Sequence, residues 1–150
     1  MTEANREKRR YLERYLASEA KIEDTEREIR RHREMGEKIT SVISSDPRGG
    51  GVSDRVGEAA SMITDAANRL LGETQTMLRT CEEVKAYINL APKETYRRVL
   101  RLRYIGGMSM LQIAWRMSYT ESWINQLHGL ALASLPAPPK TTKENEKSIV

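Results

Sequence analysis

The residues of this sequence whose type and spacing could do chemistry are five arginines, Arg97, Arg98, Arg101, Arg103 and Arg116, and the chemistry they offer is anion binding. Residues 93–139 hold six basic groups against two acidic ones, while the rest of the chain is balanced, so this segment carries the whole formal net charge of +4. A surplus gathered in one segment is what a polyanion-binding surface requires. Guanidinium groups fix the register of a nucleic acid through its phosphates without reading sequence. Other chemistry is poorly supplied. Cys81 stands alone, so an internal disulfide is excluded, and His32 and His128 lack zinc-ligand spacing. Gly49, Gly50 and Gly51 are not followed by the lysine and hydroxyl pair of a phosphate loop. No nucleophile and base, metal cluster or cofactor loop can be assembled, so the expectation is a protein that is not an enzyme and uses no cofactor or metal. His128 is read as a packing or phosphate contact, and Cys81 as a small hydrophobe.

These arginines need elements to hold them. From about Lys93 to Leu135 the sequence predicts three short helices. The first ends at Gly106 and Gly107. The second opens at Ser109, which forms a capping-box pattern with Gln112, and ends near Met117; the third is capped by Thr120 and stopped by Pro136, Pro138 and Pro139. Ile113 and Met117 of the second helix and Ile124 and Leu127 of the third are placed to face each other, with the small Ala114 at the crossing. Two such helices joined by a three- or four-residue turn form a helix-turn-helix. Ser118 occupies the turn position where glycine is usual.

Over the whole chain, 68 of 150 residues are Ala, Glu, Lys, Leu or Arg, the composition of long or coiled helices. A helix is expected from Asn5 to about Thr40, with Tyr15, Ile22, Ile29 and Ile43 recurring every seven residues, Gly36 filling the gap, and polar Ser18, Thr25 and His32 beside them. Pro47 and the three glycines break it. A second helix follows the steps Val56, Ala60, Ile63, Ala67, Leu70, Thr74, Met77, Cys81, Val84, Ile88, a 3.5-residue seam that predicts a coiled coil with the first helix. The expected fold is therefore all-α: an antiparallel helical hairpin over 5–90 with a Gly-rich turn at 44–53, a helix-turn-helix domain over 91–135, and a disordered tail over 136–150. Nothing in the sequence is apolar enough to cross a bilayer or serve as a signal peptide, so a cytoplasmic protein is expected, with no membrane partner.

The segment LRLRYIGGMSMLQIAWRMSYTESWINQLHGLALASL resembles the fourth region of bacterial primary sigma factors, in which an arginine-rich helix precedes a helix-turn-helix. With PRGGGVSDRVGEAA and HGLAL, nearly the whole chain resembles a family of uncharacterised phage and prophage proteins of Gram-positive bacteria, akin to the ArpU-type and RinA-type late regulators. The resemblance implies duplex DNA binding and transcription regulation in the bacterial host cell. It sets Thr120, Glu121, Ser122, Asn125 and Gln126 on the face that enters the major groove, with Trp123 beside them as either a DNA or a protein contact. Their chemistry agrees: Asn125 and Gln126 can each pair with adenine through two hydrogen bonds, and Glu121 can accept from cytosine. Unlike the usual sigma-like pattern, no Lys or Arg lies between Arg116 and Lys140. Host RNA polymerase and a second copy, paired through the hairpin, are the further expected partners. The rival expectations are a terminase-type DNA-packaging recognition subunit and a protein-interaction adaptor that does not bind DNA.

Overall fold

The computed structural model describes residues 1–43 and 52–141, and among them every element is an α-helix. The helices are α1 (Glu3–Ile43), α2 (Val52–Ile88), α3 (Glu94–Tyr104), α4 (Met110–Met117) and α5 (Glu121–Ser134). The expected Gly-rich turn and most of the expected tail lie outside the described residues. Helix ends follow local chemistry. Ser109 accepts from the Gln112 amide while the Gln112 side chain accepts from the Ser109 amide, closing the capping box. Thr120 accepts from the Trp123 amide and opens α5. Gly107 turns the chain after α3 with φ of +66°, which a side chain would resist.

Contacts divide the chain into two compact units, and the division differs from the expected boundary near residue 90. One unit joins Met1–Leu16 to the described residues from Thr80 onward; the other comprises the described part of Ala17–Arg79.

In the first unit, eight large or branched side chains are fully buried: Leu12, Val84, Ile88, Val99, Leu100, Ile113, Ile124 and Leu132. They form two clusters. Leu12, Ile88, Leu100 and Leu132 gather the first turns of α1 and the end of α2 around α3 and α5. Val99, Ile113, Ala114, Ile124 and Leu127 join α3, α4 and α5. Here α1 and α2 run antiparallel, with Tyr11 edge-on to Tyr87 at 4.9 Å and Arg14 paired to Glu83 at 2.8 Å. Lys8 is buried and donates from Nζ to the carbonyls of Leu132 (3.0 Å) and Ala133 (3.4 Å). The Leu132 carbonyl also accepts from the Leu135 amide at 3.2 Å, and Lys8 adds a cation at the end of α5, which has no basic residue of its own in its last turn. The cation at this helix end is thus supplied from 124 residues away.

The second unit is built from smaller parts. Among its described residues, Ala59, Ala66 and Thr25 are buried. Thr25 donates to Glu73 at 2.7 Å, Arg69 donates to Glu28 at 2.8 Å, and a methyl group added at Gly36 would meet Ala59 at 3.9 Å. The pairs again run antiparallel. The α1 seam through Ile22, Thr25, Ile29, His32 and Gly36 is the expected one. The α2 seam is not: Ala59 and Ala66 are buried, while Ala60 and Ala67 are exposed. Both choices share the column Val56, Ile63, Leu70 and Met77, and a 3.5-residue period fixes only that column.

Candidate functional site

The candidate site is the outward face of α4 and α5. Ile124 and Leu127 hold α5 against α3 and α4 from within, and because a helix turns about 100° per residue, their neighbours point away from that core. Glu121, Ser122, Trp123, Asn125 and Gln126 are all exposed. The first turn and a half of α5 presents two carboxamides, a hydroxyl, a carboxylate and an indole away from that core. Thr120 is also exposed, but its hydroxyl oxygen accepts from the Trp123 amide at 3.2 Å, so its first duty is to cap the helix. Ser118, in the turn, takes the left-handed conformation (φ 58°, ψ 42°) where glycine is usual. Its amide and that of Tyr119 reach back to carbonyls of α4, which closes the turn.

The five arginines divide into two sets. Arg97 donates to Glu94 (2.9 Å) and to the Ala91 carbonyl (2.6 Å), stapling the start of α3 to the chain before it. Arg101 donates to the other Glu94 oxygen at 2.6 Å, and these two guanidinium groups hold the Glu94 carboxyl below the usual carboxylate range. Arg103 donates to the Met108 carbonyl at 2.8 Å and fastens the α3–α4 connection. Arg98 and Arg116 are exposed, and among the described residues no hydrogen bond or ion pair occupies them. They are the guanidinium groups presented unengaged to an anion.

Sequence reasoning missed Trp115. It is 80% exposed on α4, beside Leu111 (52%) and Tyr119 (46%). A shallow groove lined by Leu111, Trp115, Ser118, Tyr119 and Glu121 runs from this patch to the first residue of α5. The signal was present in the spacing: Leu111 and Trp115 are four apart, on the side of α4 opposite Ile113 and Ala114. Behind the site, His128 is buried with its Nε2 at 2.7 Å from the Tyr104 hydroxyl. Burial, followed by the charges of Arg103 and Arg9, pushes its pKa down to about 4, while burial pushes Tyr104 up to about 12. The pair is neutral and structural. Of the two roles expected for His128, packing is the one its surroundings support.

Among the described residues no group of three or more His, Cys, Asp or Glu could hold a metal ion, and no helix is long and apolar enough to cross a membrane. Comparison with protein-family models, with curated proteins and with solved structures finds no match.

Proposed function

We propose that this chain is a non-catalytic, sequence-reading regulator of phage or prophage transcription, acting inside a bacterial host cell on duplex DNA. In this reading α4 and α5 are a sigma-like helix-turn-helix, and α1 and α2 form a hairpin that pairs copies or touches host RNA polymerase. The observation that carries it is the first turn and a half of α5. Glu121, Ser122, Asn125 and Gln126 stand exposed on a short helix whose opposite side is locked by Ile124 and Leu127. Such a ridge meets base edges in a major groove: Asn125 and Gln126 match adenine, and Glu121 matches the cytosine amino group. Arg98 and Arg116 are the phosphate contacts. Arg97, Arg101 and Arg103 support α3, so the electrostatic contribution is modest and a single module binds weakly. Two modules on one DNA gain through effective concentration.

Fluorescence anisotropy against host-phage DNA fragments at two salt concentrations tests this. Affinity should fall with salt, and Arg98→Ala or Arg116→Ala should each reduce the salt slope by about one. Asn125→Ala or Gln126→Ala should narrow the preference for the best fragment by about fivefold to a hundredfold, with a smaller effect on bulk affinity. Binding that ignores both salt and sequence would refute the reading.

The Leu111–Trp115–Tyr119 patch favours a second reading, in which the module grips a protein. Tryptophan and tyrosine are the residues that most often anchor interfaces. An adaptor without DNA affinity would lose its partner on Trp115→Ala and be indifferent to Arg98→Ala.

A further inference from the structure

From Ala60 to Leu78, α2 has a side that α1 does not cover, and that side carries no charge. The charged residues in this stretch are Asp65, Arg69 and Glu73. At 3.5 residues per turn all three fall on the other side of the helix, and two of them are visibly engaged there: Arg69 with Glu28 and Glu73 with Thr25. The uncovered side presents Ala60, Ala67, Leu71 and Leu78, all exposed, the two leucines at 61% and 59%. Its margin is Ser61, Asn68 and Gln75, polar but uncharged. Thr64 and Thr74, on the same side, spend their hydroxyls on the carbonyls of Ala60 (3.0 Å) and Leu70 (2.7 Å), so neither needs water or a foreign partner. In a chain that is 31% charged, this is a surface prepared for contact with another helix. The corresponding flank of α1, Glu19, Glu26 and Arg33, is charged and exposed.

We propose that the occupant of this face is the same face of a second copy, packed antiparallel about a two-fold axis near Arg69. The reason is self-complementarity. Both alanines are seven apart and both leucines are seven apart, so when Ala67 lies opposite Leu71 of the second copy, Ala60 lies opposite its Leu78. Symmetry then repeats both pairs with the roles exchanged. Each leucine enters a space left by an alanine, as knobs-into-holes packing demands. Arg69, level with the axis, stands on the far side of the helix beside Glu28, so the two symmetry-related arginines do not meet. The strip is about 27 Å long, short of a standard interface, so the pairing is reversible and its dissociation constant lies in the micromolar range. This deepens the self-association in the proposed function, and its test contains no DNA, so either can fail alone.

The full-length chain, examined by sedimentation equilibrium from micromolar to submillimolar concentration, should rise in mass from 17.1 kDa toward twice that. Leu71→Glu combined with Leu78→Glu should weaken pairing more than about a hundredfold while leaving the helical circular dichroism of the monomer unchanged. In a Cys81→Ser background, Ala60→Cys with Leu78→Cys should oxidise to a covalent dimer. Ala60→Cys alone should not, since the two thiols then lie about 27 Å apart. Ala67→Leu or Leu71→Ala should weaken pairing, and the two combined should restore it. A chain that stays monomeric, a mass unmoved by the double glutamate, or cross-linking by Ala60→Cys alone would overturn the proposal.

Discussion

The two compact units use the same pair of long helices and stabilise them by different means. In the unit formed by Met1–Leu16 with the described residues from Thr80 onward, eight large or branched side chains are fully buried. Among the described residues of Ala17–Arg79 the buried positions are two alanines and a threonine, helped by a threonine–glutamate hydrogen bond and a surface ion pair. Burial of a leucine or isoleucine contributes about 1.5–3 kcal/mol, whereas an exposed ion pair contributes little. A helix pair with so little buried apolar surface is the part of a protein that opens first or waits for company. The lesson is that helical periodicity measures the direction of a face and not its strength.

This contrast can be broken in three places. The largest effect is expected at Leu100, fully buried between α1, α2, α3 and α5. Leu100→Ala should cost about 2–5 kcal/mol in chemical denaturation, and a loss below about 1 kcal/mol would mean that the large-residue unit does not carry the stability. Next comes pH. Folded His128 protonates near 4 and an unfolded histidine near 6.5. Its contribution is therefore complete above pH 6.5 and is lost as pH falls through that value toward 4. The expected decline is about 3 kcal/mol, and His128→Phe should flatten the curve over that window. A wild-type curve that is already flat would show that the buried pair is not held neutral. The smallest effect is at Thr25, which donates to Glu73. Thr25→Ala should cost about 1 kcal/mol and should speed amide exchange in Ala17–Arg79 more than around α3 and α5. Equal acceleration everywhere would mean that the two units open as one.

Much of the candidate site was legible because it depends on neighbours in sequence. The Ser109–Gln112 box, the Thr120 cap and the alternation of Ile124 and Leu127 with Asn125 and Gln126 follow from helical geometry alone. The arginines were less legible, since a sequence counts charges without showing which are engaged. Glu94 takes two of them and the Met108 carbonyl a third, leaving Arg98 and Arg116 presented outward. Trp115 was missed although its spacing from Leu111 sets it opposite Ile113 and Ala114, since sequence alone does not show whether another element of the fold covers that side of α4.

By itself the sequence determined the five helices, their ends and the inward faces of the short ones, because proline, glycine and capping side chains act within a turn or two of where they stand. Tertiary structure alone decided three things: which of two equivalent seams α2 turns toward α1, where the buried Lys8 finds its carbonyls, and which guanidinium groups stay unengaged. The first two depend on a partner tens of residues away, whose identity a repeating pattern of apolar positions does not encode; the third depends on which acceptor, three to seven residues along the chain, each guanidinium reaches once α3 and its connections have folded.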